Sequence, residues 1–473
     1  MTEKLRPYLF YDVAISICAT CYRRVDAKIV FEDGKVWMLK RCPQHGHERV
    51  LVADDVDYYR RSREVFIKTP EQPMVYNTPV KYGCPYDCGL CPDHEQHSCL
   101  TLVEICDACN LTCPICYAGS GQHRTEYRSL EQIEAMLDCV VRNEKQPDVV
   151  QISGGEPTLH PDFFRVLDLC KERPIRHLMV NTNGIRIAQD EAFAKRLAGY
   201  MPQFEIYLQF DSLQREPLMQ LRGADLRAIR EKALERLNKY GISTTLVVTV
   251  ERGVNDSELG AIVDFALTQP AVRGVTFQPV QQAGRVVGFD STQHRLTLTE
   301  VRRRILEQTD VFRPEDLIPV PCHPDALAMA YALKLGSKTV PLTGMVPPEV
   351  LIDGARNTIV YEQEPELRDR LFKLFATNHS PSSQASTLKE LLCCLPKVLI
   401  PKDLGYKNLF RILIVQFIDA EAFDVRSVKK SCIHIAHPDG KRLIPFDTFN
   451  MFYRGELETT RLAGLRREEV TAV

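Results

Sequence analysis

Residues 100–116 read Leu100-Thr-Leu-Val-Glu-Ile-Cys-Asp-Ala-Cys109-Asn-Leu-Thr-Cys113-Pro-Ile-Cys116, a short apolar strand that runs into a C-x3-C-x2-C loop. Three thiolates at this spacing can take three corners of a [4Fe-4S] cube from one loop and leave the fourth iron without a protein ligand. An open iron can bind a substrate. Structural zinc is the competing reading; it wants four closed ligands and favours a C-x2-C pair with a distant second pair.

Downstream, short apolar strands alternate with amphipathic helices as far as about residue 280. Strands are expected at Leu100–Ile105, Val149–Ser153, His177–Thr182, Glu205–Phe210, Ser243–Val250 and Gly274–Pro279. Between the first two, Leu130, Ile133, Leu137, Val140 and Val141 recur at helical spacing, and Ser129 with Gln132 offers a capping box. Six βα units in series argue for an α/β fold, a parallel sheet with crossover helices built as a partial (β/α)6 barrel. In such sheets the chemistry sits at the carboxyl ends of the strands. Three polar stretches fall there: Ser153-Gly154-Gly155-Glu156-Pro157 after the second strand, Asn181-Thr-Asn183-Gly184 after the third and Gln209-Phe-Asp211 after the fourth. Paired glycines let backbone approach a ligand closely. The other two stretches read equally as a turn and a helix N-cap.

Upstream, Gly83-Cys84-Pro-Tyr-Asp-Cys88-Gly-Leu-Cys91-Pro-Asp-His94 is a second C-x3-C-x2-C run. With Cys99 as fourth ligand it would hold a closed, electron-transferring [4Fe-4S] cluster; His94, His97 and Cys106 are the alternatives for that position, and zinc for the metal. Still earlier, Cys18-x2-Cys21 and Cys42-Pro-Gln-His45 flank a hairpin candidate at Asp33-Gly34. Two ligand pairs on two turns suit a zinc ribbon or a rubredoxin-type mononuclear iron. Toward the other end, Cys322-His323, Cys393-Cys394 and Cys432-Ile-His434 either converge on a further Fe-S site, through Cys322, Cys394 and Cys432, or are ordinary core residues. The expected domains are a metal-binding module over 1–98, the barrel over 99–285 and an irregular α+β region over 286–473, with a Ser-rich linker candidate at Asn378–Thr387.

The bulk composition narrows the function classes. With 44% hydrophobic and 26% charged residues in 473, the chain is globular rather than disordered. Its 60 basic and 62 acidic residues are mixed along the sequence, so no field favours nucleic acid as a partner. Charges interrupt Met1–Ile17, which breaks any signal-peptide core, and no apolar run is long enough to span a bilayer. A cytoplasmic protein without a transmembrane segment is expected. In a reducing compartment, 17 cysteines point to metal rather than disulfides, while Cys139 and Cys170 read as small buried hydrophobes.

Cys109, Cys113 and Cys116, followed one βα unit later by Gly154-Gly155-Glu156-Pro157, resemble the signature of radical S-adenosylmethionine (SAM) enzymes. The whole series of CxxC, CPxHG, GCPxDCGLCPxH, CNLxCPxCYA and GGEPTLHPD resembles the tetraether-lipid synthase group, also classed as class D radical SAM methyltransferases. That resemblance covers most of the chain and is weakest between Leu298 and Pro396. It implies that the methionine moiety of S-adenosylmethionine chelates the open iron and that Glu156 meets its ammonium, with Gly154, Gly155, Pro157, Asn181, Asp211 and Tyr117 as further cofactor contacts. The superfamily usually has an aromatic residue just before the third cysteine; here Ile115 stands there and Tyr117 follows, a departure that bears on the adenine contact and not on the cluster.

The reaction so implied is reductive cleavage of S-adenosylmethionine to methionine and a 5'-deoxyadenosyl radical, which takes hydrogen from an unactivated carbon. One or two auxiliary [4Fe-4S] clusters would supply or remove an electron, and a ferredoxin or flavodoxin would be the donor. The expected outcome is carbon-carbon bond formation on a lipid chain, with transient membrane contact. The alternative is transfer of a methyl or methylene group to a pterin or other small acceptor. A non-catalytic Fe-S electron-transfer protein would explain the cysteines but leave the barrel and the Gly-Gly-Glu-Pro stretch without purpose.

Overall fold

The computed structural model describes residues 6–336, 338–353 and 406–471. Cys393, Cys394 and the Asn378–Thr387 segment lie outside them. The N-terminal residues form an antiparallel meander, β1 (Leu9–Ile17), β2 (Arg24–Glu32), β3 (Lys35–Cys42) and β4 (Gly46–Ala53). Asp33 and Gly34 join β2 to β3 with φ of 52° and 72°. Two left-handed residues make the two-residue turn whose twist matches a hairpin, as the Asp-Gly pair predicts. Ala27, Ile29, Val36 and Met38 on the inner face pack with Tyr59 of α1 (Val56–Glu64). From the same helix the buried Arg63 bonds both Asp325 and Asp424 at 3.0 Å, which ties the module to the C-terminal region.

The central sheet follows from the strands read in the sequence. β5 (Leu100–Glu104), β7 (Val149–Ser153), β8 (His177–Thr182), β9 (Phe204–Gln209), β10 (Thr244–Val250) and β11 (Val272–Pro279) lie side by side in parallel. A two-residue strand, β6 (Ile115–Cys116), sits in the cysteine loop and pairs with β12 (Arg285–Val286). The crossover helices include α2 (Leu130–Glu144), α3 (Phe163–Lys171), α4 (Ile185–Gln189), α5 (Glu191–Ala198), α6 (Arg215–Arg222), α7 (Arg227–Lys239) and α8 (Leu259–Thr268). α2 starts at the expected capping box of Ser129 and Gln132. Cys139 and Cys170 are core residues of these helices.

The C-terminal region completes this sheet. After β13 (Ile318–Pro319), β14 (Leu327–Leu335) and β15 (Lys338–Pro341), strand β16 (Leu409–Val415) adds in parallel to β11. β17 (Ile433–Ala436) adds in parallel to β5 at the opposite edge, and β18 (Leu443–Pro445) pairs with β17. Eight parallel strands therefore curve from β16 round to β17, and among the described residues these two do not pair, so the barrel stays open between them. No helix among the described residues is long and apolar enough to cross a membrane.

Candidate metal centres and the cavity between them

The strands' carboxyl ends frame one large cavity, about 1650 Å³ with its open mouth, bordered by Cys109, Cys113 and Cys116. The cysteine loop is laced to its neighbours. Gly155 N–H donates to the Cys106 carbonyl and Glu156 N–H to that of Ala108, each at 2.8 Å. Gly154 has a φ of +134°, and a Cβ on Gly155 would stand 2.8 Å from the Asp107 oxygen. The glycines thus leave room first for the chain's own loop. From the other side Arg285 donates to the carbonyls of Cys113 at 2.6 Å and Ser120 at 2.5 Å.

Glu156 is fully buried. Its Oε1 accepts from Thr158 Oγ1 at 2.6 Å and Thr182 Oγ1 at 2.7 Å, and its Oε2 from Asn183 N–H at 2.7 Å. Burial nevertheless holds its pKa above the usual carboxylate value. A polar arc crosses the strand ends beside it. Tyr117 OH meets Ser153 Oγ at 3.4 Å, Asn181 Nδ2 donates to Ser153 Oγ at 3.2 Å, and Gln209 Nε2 donates to Asn181 Oδ1 at 2.8 Å. Arg222 closes the arc, donating to Gln209 Oε1 at 3.1 Å and gripping Asp211.

Sequence reasoning missed Arg222 and Arg230, because each sits within a helix and outside any motif. Arg230 is 2% exposed and borders the cavity. It donates from Nη1 to the Asn183 carbonyl, while Nε and Nη2 have no hydrogen-bond partner; Nη2 is 3.8 Å from the Asp211 carboxylate. Between these groups Leu100, Leu102, Val149, Met179, Leu413, Val415 and Ile433 give the cavity an apolar wall, in which Gln151, Tyr207, Thr276 and Gln278 are also set. Phe417 stacks on Phe446 at 3.8 Å along the same wall. At the amino ends of the strands the buried Glu205 collects Arg411 at 3.0 Å, His177 at 3.3 Å and Tyr406 at 2.9 Å. His177 and Arg411 also line the cavity, so this network is its charged floor.

Among the described residues, two groups of metal-type donors gather within 4.8 Å. The first is Cys18, Cys21, Cys42 and His45. Cys21 and Cys42 sulfurs are 3.8 Å apart, and His45 Nδ1 is 3.5 Å from Cys18 and 3.4 Å from Cys42. Metal–sulfur bonds of about 2.3 Å put tetrahedral sulfurs about 3.8 Å apart, so this set suits one ion. The second group departs from expectation. Cys99, expected beside Cys84, Cys88 and Cys91, instead lies with Cys322 and Cys432, whose sulfurs are 3.6 Å apart. His97 Nε2 is 3.6 Å from Cys99, and its Nδ1 is 2.9 Å from Glu144. Cys394 lies outside the described residues.

Cys88 accepts from Thr448 Oγ1 at 3.0 Å, and Cys84 and Cys91 stand in the same loop as free thiols. Cys109, Cys113 and Cys116 do not draw together as closely as the two compact groups, which suits a larger group than a single ion. Burial pushes the Cys109 thiol up to about 12 and raises Cys113 as well, so bare thiols here stay neutral and a cationic cluster is what would hold them as thiolates. Donor type, burial and the open side facing the cavity all fit a [4Fe-4S] cluster with one free corner.

These features define an enzyme of a known kind: residues 103–266 match the radical SAM superfamily, and the chain belongs to it. Residues 10–54 match the HMPTM N-terminal zinc ribbon domain. The chain is 32% identical to the 7,8-dihydro-6-hydroxymethylpterin dimethyltransferase of Methanocaldococcus jannaschii, over 94% of each protein. It is also 27% identical to the GTP 3',8-cyclase of Pectobacterium atrosepticum, over 47% of this chain and 68% of that one. Among solved structures, Streptococcus suis SuiB bound to S-adenosylmethionine aligns with a TM-score of 0.36 at 20% identity, over 44% of this chain and 46% of that one. The protein is thus a radical SAM enzyme of transferase type that uses a [4Fe-4S] cluster and S-adenosylmethionine.

Proposed function

We propose that this enzyme takes a hydrogen atom from an alkyl chain and joins the resulting carbon centre to a second carbon, on a lipid-like substrate in the cytoplasm. The observation that carries the reading is the cavity wall: beside the cysteine loop, seven apolar side chains from β5, β7, β8, β16 and β17 offer an alkyl chain contact. When bound, the cluster supplies the electron that splits S-adenosylmethionine into methionine and a 5'-deoxyadenosyl radical.

The chain's own residues bind and orient. Cys109, Cys113 and Cys116 hold the cluster. Arg230 gives its unpartnered N–H groups to the methionine carboxylate, and the open lone pair of Glu156 Oε2 takes the ammonium, a charge-assisted pairing. Gly154, Gly155 and Pro157 shape that approach, Asn181 and Tyr117 face the rest of the cosubstrate through the polar arc, and Asp211, buried behind Arg222, holds that arc in place. The apolar wall excludes water from the reacting carbon. Cys84, Cys88 and Cys91 hold a second cluster, and Cys99, Cys322 and Cys432 a further centre, for the electron that coupling leaves over. A ferredoxin or flavodoxin is the electron donor, and the mouth of the cavity meets the membrane transiently.

Methyl transfer to a pterin is the second reading, favoured by the activity named for the Methanocaldococcus jannaschii relative. The two separate in one anaerobic assay with dithionite, S-adenosylmethionine and either a chain-deuterated phospholipid or 7,8-dihydro-6-hydroxymethylpterin. Deuterium in 5'-deoxyadenosine together with a coupled lipid in the mass spectrum supports the first. Turnover with the pterin alone overturns it.

A further inference from the structure

Strand pairing brings together two cysteines that stand far apart in the chain. β17 adds to β5 with Ile433 opposite Leu100, and Leu100 N–H donates to the Cys432 carbonyl at 3.1 Å, so Cys99 and Cys432, each one residue earlier, come side by side. Cys322 completes a buried triangle of sulfurs within 4.8 Å of one another. Three thiolates leave one position of a four-ligand metal centre to another donor. His97 reaches the triangle from the Cys99 side, with Nε2 3.6 Å from that sulfur. A nitrogen and a sulfur bound to one tetrahedral metal stand about 3.6 Å apart. The far edge of the ring is held by a carboxylate: His97 Nδ1 is 2.9 Å from Glu144 Oε2, and Ser98 N–H donates to Glu144 Oε1 at 2.9 Å. An ionised carboxylate only accepts, so Nδ1 carries the ring proton and Nε2 keeps its lone pair toward the sulfurs. His97 is 1% exposed and Glu144, the last residue of α2, is 3% exposed. An acid at a helix C-terminus works against the dipole, so Glu144 serves the two donors it holds and not the helix. The other buried histidines nearby are turned elsewhere. His94 Nε2 is 2.9 Å from the Ser431 carbonyl and 3.1 Å from His434 Nε2, and His323 Nε2 is 3.0 Å from Ser427 Oγ.

We propose that the metal centre read at Cys99, Cys322 and Cys432, on which this inference rests, has His97 as its fourth protein ligand: an iron centre held by three thiolates and one imidazole. Glu144 is the positioning residue that orients the ring. A neutral imidazole in place of a fourth thiolate takes one negative charge from the centre, which raises the potential at which it accepts an electron, as histidine ligands do in Rieske clusters.

The test is pulsed EPR of the full-length, anaerobically reconstituted protein, with this centre poised in its paramagnetic state. S-adenosylmethionine is left out because its amine would add a nitrogen. The signal followed is the one that Cys99→Ser removes. In the wild type it should carry a directly bound nitrogen whose pattern changes when the protein is grown on isotope-labelled histidine. His97→Cys should keep its iron and lose that coupling. In a dithionite titration this centre gains one electron and no bond is made or broken. There the reduced-to-oxidised ratio of His97→Cys at fixed potential should fall about tenfold, or about 59 mV for a one-electron couple. Glu144→Gln should keep the nitrogen at altered frequencies and bind iron about tenfold to a hundredfold more weakly; wild-type behaviour would overturn its positioning role. A wild-type centre that holds iron without a histidine nitrogen overturns the proposal and leaves the metal reading of the three cysteines standing, whereas a centre without iron sinks both. A nitrogen that persists in His97→Cys also overturns it, in favour of another histidine such as His434. Loss of iron from His97→Cys, in which a fourth thiolate is on offer, would make the ring a structural prop, and the proposal fails.

Discussion

A glutamine at position 156 has the size of the glutamate but one acceptor fewer. Thr158 and Thr182 donate to one oxygen and Asn183 N–H to the other, so either amide orientation sets two donors face to face. An unmatched buried donor costs about 1–3 kcal/mol, and a lost charged hydrogen bond about 1.5–3 kcal/mol. Glu156→Gln should therefore weaken S-adenosylmethionine binding about tenfold to a hundredfold and also lower the thermal midpoint, with iron content retained. Calorimetric binding on the iron-counted preparation checks this; unchanged affinity would make the Gly-Gly-Glu-Pro stretch only a turn. Asp447 offers a pH readout. Burial raises its pKa to about 7, although Ile418 N–H donates to it at 2.6 Å. An unfolded aspartate titrates near 3.9, so the folded state binds this proton more tightly, and the resulting stability is lost as pH rises through about 7. Thermal midpoints measured from pH 5 to 8 should fall less steeply in Asp447→Asn than in the wild type.

Only one of the two C-x3-C-x2-C loops borders the cavity, and the loops should separate by function. Cys113→Ala should abolish reductive cleavage of S-adenosylmethionine, while Cys88→Ala should keep some cleavage and lose mainly product, both read as 5'-deoxyadenosine against product formed. The reverse pattern would put the open cluster in the other loop. The six strands β5, β7, β8, β9, β10 and β11 were legible in the sequence because each is a short, mostly buried apolar run, and the α2 cap because it is a local motif. β16 and β17 are equally apolar, yet nothing local says that each adds to an opposite edge of a sheet begun three hundred residues earlier. The same limit hid the Cys99 grouping. Ligands at 99, 322 and 432 meet only through tertiary structure, whereas Cys18, Cys21, Cys42 and His45 meet across one local hairpin. Arg222 and Arg230 went unread because surface and buried arginines look alike on a helix with a weak pattern.

Across the whole molecule, four cysteine groups spread over the N-terminal module, the sheet and the C-terminal region call for separate accounting of metal. Anaerobically purified protein should be brown and carry about eight or more irons per chain, two cubes' worth. Cys99→Ser should lower the metal content of the Cys322–Cys432 centre while the signal from the Cys84, Cys88 and Cys91 loop persists, as metal analysis with Mössbauer spectra would show. Loss of both together would mean one shared centre. The strands that wall the open side of the barrel, β16 and β17, leave the ribosome long after β5. While the chain is being made, the segment that carries Cys109, Cys113 and Cys116 is present long before the wall that keeps water and oxygen from it. A cluster inserted then would be exposed, and contacts of such long sequence separation form late. Iron-sulfur loading of the cavity should therefore follow synthesis of β16 and β17, and a protein truncated before residue 409 should retain less iron than the full chain.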